Sequence, residues 1–325
     1  MRDLLETLAR WHADGRRAAL ATVVERRGSA PRDAGASLAL NDLGEIAGSV
    51  TGGCVEPAVI REAQEVLAGG PARVEEYGIA DDAAFEVGLA CGGTVVILVA
   101  ELDLGLVPAL HAAVERDEPV ALATTLAGAQ RLTEAVGEDG LRELDGEVAF
   151  VHVFRPRPAM YVFGAIDHAA ALARVGKLLG YRVTVCDARA AFVTPARFPE
   201  VDELVVEWPD RFLRDAPVDE RTAICVLTHD EKFDVPVLLA ALETPAGYIG
   251  AMGSRVTTAE REERLRAAGL DGAALGRIHA PIGLAIGARS PEEVAVAIGA
   301  EIVEATALAR RRAADESGAV SLLRA

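Results

Sequence analysis

Residues 159–187 read AMYVFGAIDHAAALARVGKLLGYRVTVCD and carry the clearest fold signal in the chain. The segment begins with an apolar run, Ala159–Phe163, and ends with a second one, Arg182–Cys186, each of strand length. Between them, Asp167–Leu179 is predicted to be a helix, and Gly180 follows at a position where helices commonly end. A strand, a helix and a strand in this order predict two parallel strands joined by a helical crossover.

The turn after the first of these strands bears on nucleotide binding. Gly164 opens the turn, and Asp187 follows the second strand, about where an acid reaches a ribose hydroxyl in a Rossmann-type unit. The other fingerprint glycines are missing: Ile166 stands where bare backbone would approach a pyrophosphate, and Asp167 adds a negative charge. We therefore expect a Rossmann-like domain with Gly164 and Asp187 as candidate nucleotide ligands, and with NAD(P) doubtful as a cofactor.

Further along, a polar group follows the predicted strand Ala223–Leu227. The sequence there is Thr228-His229-Asp230, and residues at the carboxyl ends of parallel strands face the ligand crevice. His229 is thus a candidate general base or ligand. The alternative is that Thr228 or Asp230 only caps the next helix.

A second candidate loop follows the strand near residue 248. It reads Gly250-Ala251-Met252-Gly253-Ser254-Arg255, and its successive N–H groups are predicted to form an anion-binding nest. Gly250, Gly253, Ser254 and Arg255 are accordingly candidate cofactor-binding residues. Thr257 and Glu260 predict a capping box for a helix at 258–268.

The first half of the chain has a different pattern. A helix is predicted at 3–14, a buried strand at 18–24 and a hairpin at 37–49. The fold class predicted for the whole chain is α/β, with an N-terminal mixed α+β domain followed by a Rossmann-like domain with a mainly parallel sheet. The predicted domains are 1–154 and 159–312, separated by a linker at 155–158 and followed by a tail at 313–325.

Two glycine-cysteine segments stand out in the first half. They are Thr51-Gly52-Gly53-Cys54 and Cys91-Gly92-Gly93. A helix is predicted from Val55 to Leu67, with Glu56 in its first turn, so Cys54 lies beside a helix N-terminus, a position that favours a thiolate. Cys54 and Cys91 are therefore candidate nucleophiles or soft-metal ligands. The alternative for each is a buried cysteine that packs like a small apolar residue beside an ordinary Gly-Gly turn.

Three arginines lie within seven residues, in a predicted loop at 25–33. They are Arg26, Arg27 and Arg32, and the planar guanidinium suits phosphate or carboxylate ligands. The alternative is a solvated loop, since charged loops are mostly solvated.

Composition limits the classes of partner. The chain has 325 residues, is 51% hydrophobic and carries a formal net charge of −17, which disfavours binding to nucleic-acid phosphates or to anionic membranes. No apolar stretch reaches the length of a membrane span, and the N-terminus has no signal-peptide core. The four cysteines form no CxxC pair, so we expect a reduced, soluble, cytoplasmic protein without a structural zinc site.

Taken together, these segments resemble the XdhC/CoxI family over nearly the whole chain. The order and spacing of the following motifs carry the resemblance: Arg27-Gly28-Ser29-Ala30-Pro31-Arg32, Gly52-Gly53-Cys54-Val55-Glu56, Cys91-Gly92-Gly93, Thr228-His229-Asp230, Tyr248-Ile249-Gly250-Ala251-Met252-Gly253-Ser254-Arg255, Pro281-Ile282-Gly283 and Ser290-Pro291-Glu292-Glu293. The resemblance implies a chaperone that binds the molybdenum cofactor, protects it during sulfuration and passes it to an apo molybdenum hydroxylase. It also implies a cysteine desulfurase as partner and a homodimer.

The chemistry of this cargo suggests roles for the quoted residues. Arg27 and Arg32, the Gly52-Gly53 backbone and the helix start at Glu56 are the expected phosphate-binding groups. Cys54 or Cys91 is the expected molybdenum contact, with Cys54 preferred because it lies at the helix start. Two alternatives stay open: an NAD(P)-dependent oxidoreductase, and a non-catalytic module that docks a desulfurase or a hydroxylase.

Overall fold

The computed structural model describes residues 1–29, 32–78, 93–228 and 230–317. It divides into two compact units, Met1–Pro156 and a second unit that begins at Arg157. Each unit has its own hydrophobic core.

In its described residues, the first unit contains two antiparallel sheets and three α-helices. Its helices are α1 (Leu5–Ala13), α2 (Glu56–Leu67) and α3 (Val107–Glu115). Its strands are β1 (Ala18–Arg27), β2 (Ser37–Asn41), β3 (Ile46–Gly48), β4 (Arg73–Tyr77), β5 (Thr94–Leu102), β6 (Val120–Thr125), β7 (Gln130–Thr133), β8 (Gly140–Leu144) and β9 (Glu147–Phe154). The five-stranded sheet has the order β3-β2-β1-β5-β4, and the four-stranded sheet has the order β7-β6-β9-β8.

Strand β1 lies in the middle of the five-stranded sheet and is buried on both faces. Ala19, Ala21 and Val23 pack in the cluster that contains the apolar face of α2, whereas Leu20 packs in the cluster that contains α1 and α3. The continuous apolar run at 18–24 follows from this double burial, because a strand covered on both faces has no solvent-facing position.

The loop predicted at 25–33 begins later than expected. β1 continues to Arg27, where its register pairs Arg26 with Val95 and Arg27 with Thr94 of β5. Strand β5 supplies backbone hydrogen-bond partners that extend β1 past its apolar run. Composition alone does not reveal this pairing.

The second unit is a doubly wound domain around a six-stranded parallel sheet, as predicted. Its strands are β10 (Ala159–Phe163), β11 (Arg182–Cys186), β12 (Glu203–Val205), β13 (Ala223–Val226), β14 (Tyr248–Ala251) and β15 (Ile278–His279), in the order β12-β11-β10-β13-β14-β15. Its helices are α4 (Asp167–Leu178), α5 (Pro209–Asp215), α6 (Glu231–Leu242), α7 (Arg255–Ala267), α8 (Gly272–Leu275) and α9 (Pro291–Ser317). The chain reverses its direction of winding between β10 and β13, where doubly wound sheets form a ligand crevice.

Two apolar layers cover this sheet. Leu172 of α4 and Ile298 of α9 belong to one cluster, while Leu213 of α5 and Val237 of α6 belong to the other. The inner strands β10, β11, β13 and β14 are therefore largely buried and read as apolar runs, whereas the edge strands β12 and β15 are not fully buried.

Two predicted element boundaries are wrong in this unit. Helix α7 begins at Arg255 and its N-cap is Ser254, whose Oγ accepts the N–H of Thr257, so Thr257 is not the cap. Helix α9 continues to Ser317, into the predicted tail at 313–325, in a stretch rich in alanine and arginine, which favour helix.

Candidate functional site

The loop before α2 is organised by the carboxylate of Glu56. Glu56 Oε1 accepts hydrogen bonds from Ser49 Oγ at 2.7 Å, from Thr51 N at 2.9 Å and from Gly52 N at 2.8 Å. Its Oε2 accepts from Thr51 Oγ1 at 2.7 Å and from Gly53 N at 2.8 Å. One side chain thus satisfies five donors of a single loop, which joins that loop to the first turn of α2.

The ionisation of Glu56 is coupled to this network. Partial burial alone would raise the pKa of Glu56, but the hydroxyl groups of Ser49 and Thr51 and the backbone N–H groups of Thr51 and Gly52 hold it well below its usual range. Glu56 is therefore an internal anion at neutral pH.

The backbone conformation explains the glycine pair in this loop. Gly52 has φ +92° and Gly53 has φ +130°, in the region that side chains rarely adopt. No heavy atom lies within 4 Å of the position that a Cβ would take at either residue. The glycines are needed for the turn, and the space above them is open.

The predicted phosphate-binding role of Gly52 and Gly53 conflicts with these bonds. Both N–H groups already donate to Glu56, so in this conformation they have no hydrogen left for a phosphate. Sequence patterns cannot distinguish an internal carboxylate from an external phosphate, because both satisfy the same donors.

Cys54 is presented at the end of this loop. It precedes the N-cap residue Val55 of α2, as expected from the sequence, and its side chain is exposed. By contrast, Cys186 and Cys225 are buried, and burial raises the pKa of the Cys186 thiol to about 12. Cys54 is thus the accessible thiol in the described parts of the chain, while Cys91 lies outside the described residues.

The structure separates the predicted arginine ligands. Arg32 Nη1 donates to the backbone oxygen of Ser49 at 3.3 Å, which places its guanidinium beside the Glu56 loop. Arg27 instead pairs with Glu25 at 2.7 Å and with Glu76 at 3.2 Å. Of the two, only Arg32 is brought to the loop that ends at Cys54.

In the second unit, Asp187 lies beside the turn that Gly164 opens, and it binds that turn itself. Asp187 is buried, and its Oδ2 accepts the N–H of Ala165 at 2.9 Å. The same carboxylate accepts three hydrogen bonds from Arg189, whose backbone N, Nε and Nη2 are the donors. Burial alone would raise the pKa of Asp187, and these bonds lower it.

This arrangement accounts for the incomplete fingerprint. A Cβ at Gly164 would lie 3.0 Å from Thr228 Cγ2 and 3.1 Å from Thr228 N, so the glycine is required by close packing. Both oxygens of Asp187 are engaged inside the protein rather than turned toward a ribose. The turn is thus closed by hydrogen bonds within the protein.

The candidate residues within and after β14 have separate roles. A Cβ at Gly250 would lie 2.5 Å from Ile282 Cγ1 and 2.7 Å from Tyr248 Oη, so this glycine serves packing. Gly253, Ser254 and Arg255 line a cavity of about 560 Å³.

One buried ion pair was missed by the sequence analysis. Arg261 Nη2 lies 2.9 Å from Asp234 Oδ2 and 2.6 Å from the backbone oxygen of Met252, and Thr228 donates to the other oxygen of Asp234. The pair links Thr228, two residues after the end of β13, to Met252, which directly follows β14. The candidate His229 lies outside the described residues. Asp234 lies within the apolar run of α6, residues 233–242. Because acidic residues are rarely buried without a partner, this position is the signal that could have revealed the pair.

Two kinds of feature are absent from the described residues. They contain no group of three or more His, Cys, Asp or Glu side chains placed to hold a metal ion. Within the same ranges, no helix is long and apolar enough to cross a bilayer.

Comparison with known proteins agrees with this architecture. A family model described as the XdhC Rossmann domain matches residues 160–302, and a model described as the XdhC and CoxI family matches residues 11–78. A protein of Bacillus subtilis, named as a probable subunit of xanthine dehydrogenase, is 28% identical, with 90% of this chain and 94% of that protein covered. The molybdenum cofactor insertion chaperone PaoD of Escherichia coli is 29% identical, with 89% and 83% covered.

A solved structure matches almost the whole chain. It is the crystal structure of a protein from Bacillus halodurans described as a xanthine dehydrogenase, with 25% identity, a TM-score of 0.71 and coverage of 94% of this chain and 95% of the other. The two family models together cover more than half of the chain, and they match both of its units in order. The chain therefore belongs to the XdhC and CoxI family.

Proposed function

We propose that this chain is an accessory protein that binds the molybdenum cofactor, supports its sulfuration and delivers it to an apo molybdenum hydroxylase of the xanthine or CO dehydrogenase type. The relative PaoD carries the name of a molybdenum cofactor insertion chaperone and aligns over most of both chains. A maturation role of this kind needs binding and release rather than turnover, so we place the chain among chaperones and not among enzymes.

The observation that carries the proposal is the exposed thiol of Cys54 at the end of the hydrogen-bonded Glu56 loop, which Arg32 contacts at Ser49. A thiolate is a soft ligand suited to molybdenum or to its sulfido group. The Arg32 guanidinium, which contacts the loop at Ser49, suits the terminal phosphate of the pterin. Cys54 thus supplies a soft ligand and Arg32 a phosphate-binding cation. These two groups match the two ends of the molybdenum cofactor, its metal and its phosphate.

Glu56 has a positioning role in this proposal. Its carboxylate fixes the five donors of the loop and so determines where Cys54 is presented at the start of α2. Gly52 and Gly53 contribute their backbone conformation, and the open space above them admits a large ligand. Phosphate binding is assigned to Arg32 rather than to these N–H groups.

The partners follow from the same assignment. We propose that a cysteine desulfurase supplies the sulfur, that an apo hydroxylase receives the cofactor, and that the chain acts as a homodimer in the cytoplasm. The oxidoreductase alternative loses its main support, because Asp187 bonds Ala165 and Arg189 instead of facing a ribose.

The test is cofactor content after purification from cells that make the molybdenum cofactor. Molybdenum is measured by mass spectrometry and pterin by oxidation to its fluorescent form, for the unmodified chain and for Cys54→Ser and Arg32→Ala. Arg17→Ala is the matched control, since Arg17 is an exposed arginine of the same unit, paired with Glu101.

We expect near-stoichiometric molybdenum and pterin in the unmodified chain and in Arg17→Ala, and a loss of roughly tenfold or more in the two site variants. A chain that stays empty after incubation with free cofactor contradicts the proposal. If such an empty chain still captures a desulfurase or a hydroxylase, the docking-module alternative holds instead.

A further inference from the structure

The cavity of about 560 Å³ in the second unit is not explained by the cofactor site at Cys54. It is lined by the loop that leads from β14 into α7, by residues 281–288 and by parts of α4 and α9. Its volume is in the range of small-molecule sites. Neither Gly164 nor Asp187 lines it, so a ligand here would not use the internally capped turn.

Part of the cavity lining is polar and cationic. Arg255, Thr257 and His168 line it together with Ser254, and Arg255 is exposed. Neither the Arg255 guanidinium nor the His168 ring has a hydrogen-bond or ion-pair partner among the described residues. A cation that no protein acidic group neutralises is available to an anionic ligand.

The charge of the lining contrasts with that of the whole chain. The formal net charge is −17, yet no Asp or Glu occurs among the described lining residues. Charge of one sign in a concave surface concentrates ligands of the opposite sign. The cavity is thus a cationic depression on an acidic protein.

Much of the remaining lining is apolar. Met252, Ile282 and Leu284 line it, with Val294 and Ala297 of α9. These side chains offer no partner to a bare inorganic ion and instead fit an organic body. The ligand therefore combines an anionic group with an apolar or aromatic part.

We propose that this cavity binds an organic phosphate monoester of about the size of a nucleoside 5′-monophosphate. The Arg255 guanidinium binds the phosphate, together with the Thr257 hydroxyl at the start of α7. The apolar lining residues contact the base of the nucleotide. This site uses none of the residues to which the proposed molybdenum cofactor site at Cys54 and Arg32 is assigned.

The experiment is a calorimetric titration of the full-length chain with 5′-AMP and 5′-CMP, and with adenosine and cytidine as uncharged comparisons. Arg255→Ala removes the cation, and Ala285→Trp fills the cavity from an exposed loop position. The matched controls are Arg266→Ala and Ala259→Trp, which change exposed positions of α7 outside the lining.

We expect at least one monophosphate to bind roughly tenfold or more tightly than its nucleoside, and both cavity variants to weaken it by a similar factor. The control variants are expected to bind like the unmodified chain. Cys54→Ser and Arg32→Ala are also expected to leave this binding unchanged, so failure at one site is distinguishable from failure at the other.

Three results would overturn the proposal. The first is that neither monophosphate binds at concentrations up to about 1 mM, the weak end of specific affinity. The second is that nucleoside and monophosphate bind equally, which removes the role of the cation. The third is that Arg255→Ala and Ala285→Trp bind like their controls, which places the ligand elsewhere.

Discussion

The Oε2 atom of Glu56 lies 2.8 Å from the backbone nitrogen of Gly53, so an acid of the first helical turn closes the loop that precedes it. This bond determines how Cys54, the next residue, leaves the loop. The Glu56 carboxylate also supplies, from within the protein, a negative charge at the N-terminus of α2, where anions are favoured.

Glu56→Gln is expected to lower the free energy of unfolding by about 1–2 kcal/mol at pH 7, because an amide cannot accept from all five donors and the site is partly exposed. The effect is measured by urea unfolding of both proteins. The folded-state pKa of Glu56 lies below its unfolded value, so its contribution is complete above about pH 5 and decreases as the pH falls below about 4. A difference between the two proteins that grows toward acid pH would contradict this assignment.

Replacement of either Asp234 or Arg261 alone is expected to destabilise the second unit by about 3–5 kcal/mol, because each change leaves a buried charge unpaired. Asp234→Asn and Arg261→Met are compared by chemical unfolding. Glu101→Gln, which breaks the exposed pair with Arg17, is the control and is expected to cost less than about 1 kcal/mol. The double variant Asp234→Asn with Arg261→Met should lose less stability than the sum of the two single variants, and a simple sum of the single effects would argue against coupling.

Gly250→Ala is expected to cost about 1–3 kcal/mol, because its Cβ would lie 2.5 Å from Ile282 Cγ1. The cost should be smaller when Ile282 is first changed to alanine, since the clashing atom is then absent. Gly272→Ala is the control, because no heavy atom lies within 4 Å of its Cβ position. Equal costs of Gly250→Ala in both backgrounds would show that the contact with Ile282 is not responsible.

Thiol modification of the folded protein is expected to label Cys54 quickly and to spare Cys186 and Cys225. Exposure makes Cys54 accessible, whereas burial raises the pKa of Cys186 to about 12 and thereby suppresses the reactive thiolate. Peptide mapping by mass spectrometry reads each site separately, and labelling in urea shows that all peptides are detectable. Rapid labelling of Cys225 in the folded protein would mean that the second unit opens locally.

Titration with NADH, followed by fluorescence, is expected to show no saturable binding in the micromolar range. Asp187 is already engaged by Ala165 and Arg189, so the usual acceptor for a ribose hydroxyl is occupied. Asp187→Asn should reduce stability, because the neutral amide replaces a carboxylate that accepts several bonds, without creating NADH affinity. Saturable binding to the unmodified chain would restore the oxidoreductase alternative.

The sequence by itself determined the features that depend on near neighbours. The strand-helix-strand pattern of 159–187 predicted the parallel sheet. The spacing of apolar residues within each element reflects which of its faces is buried, so the type of each element could be predicted from its own residues. The position of Cys54 beside the start of α2 was likewise readable, since Gly52, Gly53 and Glu56 are local helix-start signals.

Only the tertiary structure decided which partner each polar group takes. It placed Arg32, and not Arg27, beside the Glu56 loop, and it paired Asp234 with Arg261 across α6 and α7. It also showed that Glu56 accepts from backbone donors that the sequence had suggested for a phosphate, and that Asp187, suggested for a ribose, accepts from Ala165 and Arg189. The physical reason is that hydrogen bonds and ion pairs depend on which distant segments meet in space, and spacing along the chain does not record this.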